Sequence, residues 1–263
     1  MEAVLKEISY HMPGQIWRAF PCEGGRWVIE WRIPEGKQLG FSVIDPLNPG
    51  APVTEAAVDG IDWWSSLAGA GGNCFFVHGY RNADIPEPTD LMAFDMRSGE
   101  MKWVLPGYRF EGISEQKALL VGKKDGGGIS VFECNELTGA PSAAPAGNRV
   151  NPAADWLEAY RYNSGEEYYD FLARFLEKNA GVSPVGAIEY LDYADKMVFS
   201  FYLYENNGLV QYVAVLDRFR KVEYLEAVER DLEKEGKGGL VLRGGVIYFI
   251  KNKNNFVGIN LAV

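Results

Sequence analysis

Leu91-Met92-Ala93-Phe94-Asp95-Met96-Arg97-Ser98-Gly99-Glu100-Met101-Lys102-Trp103 holds an apolar run ending in an acid, a short polar turn, and a second run reaching a tryptophan. Asp and Gly suit the turn, one as a side-chain acceptor for nearby amides and the other as a residue at home at positive φ. The flanking runs are strand-length, so the stretch reads as a β-hairpin. The same ending recurs in Gly40-Phe41-Ser42-Val43-Ile44-Asp45, Ile129-Ser130-Val131-Phe132-Glu133-Cys134, Tyr212-Val213-Ala214-Val215-Leu216-Asp217 and Phe256-Val257-Gly258-Ile259-Asn260. Each is preceded by a partner run, beginning at Trp27, Cys74, Ala118, Met197 and Val246 in turn.

The segment ends lie 50, 39, 83 and 43 residues apart. Four-stranded propeller blades recur at about 40–50 residues. Three intervals fit, and the fourth holds an extra element. A single meander cannot bury both its faces, whereas five packed around an axis can, leaving only short edges. The expectation is one all-β domain over residues 1–263, a five-bladed β-propeller. A β-sandwich or barrel built from the same strands is the alternative. The Leu91–Trp103 stretch resembles the repeat of pyrroloquinoline-quinone-type propellers, in which an apolar strand ends in Asp, turns through Ser/Thr-Gly and continues to a Trp. Leu137-Thr138-Gly139 keeps that turn; Asp45-Pro46-Leu47-Asn48-Pro49-Gly50 and Asp217-Arg218-Phe219-Arg220 do not. The resemblance implies a fold and brings no quinone-binding residue with it, so no cofactor is expected. The whole chain resembles an uncharacterised bacterial propeller-like family of unknown function.

The final repeat offers three strands, Leu240–Arg243, Val246–Ile250 and Phe256–Leu261, while Ala3–Tyr10 is surplus at the other end. An open edge is an aggregation template. The N-terminal strand is therefore expected to pair with 256–261 and close the ring. The long interval is assigned to a helical insert at about 151–181. Pro152 would open it, Ser164 with Glu167 would form a capping box, and Tyr168, Phe171, Leu172, Phe175 and Leu176 would make one apolar stripe. Leu225, Val228 and Leu232 could form a second short helix within the charged run 226–235, whose usual meaning is a solvated face.

With 36 acidic and 26 basic residues, the net charge is −10. Such a chain has no general attraction for a phosphate backbone, so no nucleic-acid partner is expected. No stretch approaches the roughly 20 apolar residues of a membrane helix, and the acidic opening Met1–Glu7, with no apolar run behind it, is not expected to act as a secretory signal. Three scattered cysteines without a CxxC read as reduced thiols of a cytoplasmic protein. With only two histidines besides, no metal site is expected.

Nucleophile-elbow, dinucleotide and P-loop signatures are absent: Gly69-Ala70-Gly71-Gly72 leads into a strand and reads as a turn, and Lys123–Gly128 reads as a hairpin loop. The densest cluster of candidate site residues lies in the second repeat, where Trp63, His78, Tyr80 and Arg81 flank a long connection, Asn82–Asp90. Loops between second and third strands face one mouth of a propeller, which would gather Arg32, His78, Tyr80, Arg81 and Lys123 there. Aromatic planes with a few polar groups suit a small polar ligand such as a sugar. The same residues also suit packing between blades. The sequence is accordingly read as a non-catalytic binding or scaffold protein whose partner is a protein or a small polar ligand. The alternative is a hydrolase acting on a sugar, drawing on Asp62, Asp84, Glu87 or Asp90.

Overall fold

The computed structural model describes residues 5–56, 58, 61–82, 85–114, 117–145, 156–206, 208–236 and 239–261. Strand β1 (Glu7–His11) opens the chain. A four-stranded sheet follows, from β2 (Gln15–Pro21), β3 (Trp27–Ile33), β4 (Gln38–Ile44) and β5 (Thr54–Glu55). The second sheet comprises β6 (Ser66–Ala70), β7 (Cys74–Asn82), β8 (Ile85–Asp95) and β9 (Met101–Pro106), and the third β10 (Tyr108–Ile113), β11 (Leu119–Asp125), β12 (Gly128–Cys134) and β13 (Pro141–Pro145). After β14 (Trp156–Glu158), the fourth sheet contains β15 (Tyr160–Asn163), β16 (Val185–Tyr193), β17 (Lys196–Glu205), β18 (Gly208–Asp217) and β19 (Val222–Leu232). The fifth is ordered β1, β22 (Asn255–Asn260), β21 (Val246–Lys251), β20 (Val241–Arg243), β14. The protein is thus all-β, with five separate antiparallel sheets, each carrying one of the five sequence repeats.

The chain groups into two compact units. One, Met12–Ala154, holds the first three sheets; the other, Met1–His11 with Asp155–Val263, holds the last two. Within each, the strand period of two sends alternate residues to opposite faces. In β7, Phe75 and Val77 pack with Val28, Phe41 and Val43 of the first sheet. Their neighbours Cys74 and Phe76 pack on Leu119 and Val121 of the third. In the other unit, Val198, Val213 and Val215 of the fourth sheet meet Ile247, Val257 and Ile259 of the fifth. The opposite face of the fourth sheet, with Phe199, Phe201 and Leu216, is covered by the helix α1 (Glu167–Ala180) through Tyr169, Leu172 and Leu176.

Several expectations need correction here. Helix α1 is shorter than 151–181, because Trp156–Glu158 and Tyr160–Asn163 are strands and join the sheets; Pro152 lies outside the described residues. The helix N-cap is Glu166, without a side-chain cap, so the Ser164–Glu167 box does not form. Glu166 instead reaches back to Asn163, accepting from its amide at 3.2 Å and from its side chain at 3.0 Å. The buried stripe is rotated by one residue: Tyr169 replaces Tyr168, and Tyr168 and Phe171 are exposed. The span 222–232 is strand β19, not a helix, because pairing with β18 recruits it. Its edge is covered by Lys253 on Glu229 at 3.5 Å and by the Asn252 amide on the Val228 carbonyl at 2.8 Å. The long connection 82–90 is mostly ladder, since β7 runs to Asn82 and β8 starts at Ile85.

The N-terminal strand pairs with the C-terminal one as expected. Glu7 stands opposite Ile259 and His11 opposite Asn255. Leu5, just before it, is buried in the core between the fourth and fifth sheets. Leu5→Ala should cost about 2–4 kcal/mol, whereas Lys6→Ala should be nearly neutral. Urea unfolding midpoints of the two variants, or of a chain lacking residues 1–11, will show whether this clasp supports its unit.

Candidate functional site

Strand β3 reads Trp27-Val28-Ile29-Glu30-Trp31-Arg32-Ile33, with two opposite charges two residues apart and both buried. That spacing puts them on one face of the strand. Arg32 Nε donates to Glu30 Oε1 at 2.7 Å. Its two terminal nitrogens donate to the Trp63 and Ser65 carbonyls at 2.8 and 2.7 Å, and the Leu67 amide donates to Glu30 Oε2 at 2.8 Å. Arg18, opposite Glu30 in the ladder, donates to the Leu67 carbonyl at 3.0 Å. A register shift between Ile16 and Arg18 frees Trp17 from the ladder. The Arg32 guanidinium then lies over both indoles, 5.3 Å from the Trp17 ring and 5.1 Å from the Trp63 ring. Trp17 is 58% exposed, so its outer face is open.

Of the predicted site residues, Trp63 is half-buried, packing on the core between the first two sheets and on Arg32. Tyr80 OH and Ser66 Oγ share a hydrogen bond at 2.9 Å. His78 Nε2 accepts from the Phe110 amide at 2.8 Å, and its ring meets Tyr80 edge-on at 6.3 Å. Burial, and then the charges of Arg109 and Arg18, push the His78 pKa down to about 4. The Arg81 side chain lies outside the described residues. Lys123 caps the Tyr108 ring at 5.3 Å. The structure thus bonds Trp63 to Arg32, His78 to Phe110 and Tyr80 to Ser66, and sets the His78 and Tyr80 rings edge-on to each other.

Two of the four carboxylates weighed for hydrolysis, Asp62 and Glu87, are similarly occupied. Asp62 accepts from the Trp64 amide at 2.9 Å, and Glu87 pairs with Lys124 at 2.7 Å; Asp84 lies outside the described residues. A wide groove of about 950 Å³ in the other unit is lined by Arg161, Gly186, Tyr204 and Glu235. Arg161 there bonds Glu235 at 2.8 Å and Glu189 at 3.3 Å. Burial raises the Glu189 pKa against the opposing pull of Arg161. Its second oxygen accepts from the Gly239 amide at 3.1 Å, so Glu189 is a buried strut with both oxygens engaged. Among the described residues no group of three or more His, Cys, Asp or Glu could hold a metal ion. No described helix is long and apolar enough to cross a membrane.

Trp17, Glu30 and Glu189 were missed in the sequence. The available signal was a charge inside an apolar strand: Glu30 between Ile29 and Trp31, and Glu189 between Ile188 and Tyr190. A buried acid in such a setting must find a partner.

A family model described as a domain of unknown function, DUF4905, matches residues 22–103, which span most of the first two sheets. The chain thus resembles an uncharacterised family over that span. Two solved structures are similar to it. BamB from Moraxella catarrhalis has 11% identity and a TM-score of 0.34, covering 98% of this chain and 100% of that one. An exo-1,5-alpha-L-arabinanase from a bovine ruminal metagenomic library has 12% identity and a TM-score of 0.22, covering 95% of each chain. A search of the curated proteins finds no match.

Two measurements follow from this geometry. Glu30→Ala would strand the Arg32 guanidinium and the Leu67 amide, and should cost about 3–5 kcal/mol by chemical denaturation. For His78, the unfolded imidazole takes a proton near pH 6.5 and the folded one only near 4. Between those values the unfolded chain binds the extra proton, so stability should fall as pH drops from 6.5 to 4, by at most roughly 3 kcal/mol. His78→Gln keeps an acceptor for the Phe110 amide. Its unfolding midpoints over that range should show a flatter slope than the parent.

Proposed function

We propose that the five sheets are the blades of a single five-bladed propeller over residues 1–263, and that the protein is a non-catalytic binding or scaffold protein of the cytoplasm. Its partner is a protein or a small polar ligand, taken on the face that carries Trp63, His78, Tyr80 and Arg81. Support for the architecture comes from the five antiparallel meanders and the β1–β22 pairing. Support for the compartment comes from the three cysteines, which are scattered in the sequence and are buried and not in disulfide bonds in the fold.

The observation that carries the binding reading is the Trp17–Arg32–Trp63 stack. Arg32 is locked by three hydrogen bonds and buried, so the indole above it rests on a rigid base while its other side faces solvent. A preorganised aromatic plane offers contact area at little entropic cost. The neighbouring polar groups point away from catalysis: His78 is held neutral with its acceptor nitrogen engaged, and Glu87 is paired.

A glycan array and a metabolite library screened by thermal shift would test this. Trp17→Ala should weaken any ligand found by at least about tenfold. It should leave the fold intact, since the exposed indole contributes only about 0.5–1 kcal/mol through its cation–π contact. A ligand whose affinity ignores Trp17 would defeat the reading. Turnover of chromogenic glycosides that is lost in Glu87→Gln or Asp90→Asn would establish the hydrolase instead.

A further inference from the structure

A second groove, of about 320 Å³, lies between the β7–β8 arm and the β10–β12 hairpins, entirely within the Met12–Ala154 unit. We propose that it is a binding site for a small oxyanion, a carboxylate or phosphate of metabolite size. This inference is independent of the Trp17 platform, because it rests on different residues.

Its walls are built from bare backbone and positioned cations. Gly107, Gly127 and Gly128 line it, and a Cβ added at Gly107 or Gly127 would meet nothing within 4 Å. These glycines leave open space facing the groove, where a ligand can approach the main chain. Gly122 differs, because a Cβ there would collide with the Glu111 carboxylate. That carboxylate, 4% exposed, holds Arg109 through its Nε. The Arg109 side chain is itself 40% exposed and lines the groove. A guanidinium fixed through Nε presents its terminal nitrogens as a planar pair of donors, the geometry that suits a carboxylate or phosphate.

Lys124 stands on the same groove, and its present partner is the Glu87 carboxylate at 2.7 Å, both side chains being well exposed. An exposed pair of this kind is worth little, so an incoming anion can displace it. Glu87 is then a carboxylate of the protein resting where a ligand's would sit. Lys123, on the Tyr108 ring, adds a third positive charge nearby.

The test is a titration of the full-length protein with inorganic phosphate and, separately, with succinate, followed by amide NMR at constant ionic strength set with chloride. Saturable shifts confined to Gly107, Gly122, Gly127 and Gly128 are expected, and whichever anion saturates first names the class. Arg109→Gln should weaken that binding about ten- to a hundredfold, the worth of a charge-assisted contact. Glu87→Gln should tighten it by removing the competitor. Gly128→Val provides a variant with unchanged charge: Gly128 has no positive φ, and a Cβ there meets only the Asp125 carbonyl at 4.0 Å. It should fold normally and block the groove. Shifts spread over the surface without saturation, or binding unchanged in Arg109→Gln and Gly128→Val, would overturn the proposal.

Discussion

A buried side-chain acceptor reaches from the second strand of one sheet to a backbone amide at the first strand of the next, and the packing of sheets on sheets depends on it. Glu30 of β3 takes the Leu67 amide of β6, and His78 of β7 takes the Phe110 amide of β10. In the other unit, Glu189 of β16 takes the Gly239 amide just ahead of β20. A first strand has a ladder partner on one side only, so part of its amide row has no strand to pair with. Leaving such a group buried and unpaired costs about 1–3 kcal/mol. Satisfying it from the neighbouring sheet fixes the spacing and register of the two sheets together. One carboxylate and one neutral imidazole, Glu30 and His78, meet this requirement at β6 and β10, whereas Glu189 serves a connecting-segment amide ahead of β20, which β14 and β21 pair on both sides.

That requirement shapes the charges around it. A buried carboxylate needs a cation, hence Arg32 beside Glu30 and Arg161 beside Glu189. The imidazole needs no counter-charge, but it must stay neutral, since a proton on Nε2 would face the Phe110 amide. The nearby positive charges of Arg109 and Arg18 reinforce this. Two of the residues picked out as a site, His78 and Tyr80, are therefore also joints of the scaffold, through Phe110 and Ser66. The two surfaces proposed for recognition rest on such joints: the outer face of Trp17 above Arg32, and the groove edge at Arg109 above Glu111.

The helix α1 answers a related constraint. Sheets buried on both faces need something on each. The second sheet has the first and third, whereas within its own unit the fourth has only the fifth on one side. Tyr169, Leu172 and Leu176 cover Phe199 and Phe201 on the other. The helix thereby substitutes for a sheet within that unit, and its outer face keeps Tyr168 and Phe171 exposed.

The sequence by itself determined the five repeats, their strand character and the pairing of the two chain ends. Period-two alternation and Asp/Gly turns are local signals, and the surplus strand at one terminus matched a deficit at the other. It also marked the helix, though not its phase. Tyr168 and Tyr169 are chemically equal, and which one faces inward depends on where the chain leaves β15. Strand β19 defied its helical spacing because a long ladder with β18 outweighs weak local propensity. The site was the least legible part. Trp63, His78 and Tyr80 could be picked out by residue type, but the partners that occupy them, Arg32, Phe110 and Ser66, lie 14 to 32 residues away. Only the stacking of one sheet on the next decided which polar groups were consumed in holding the fold and which stayed open to solvent.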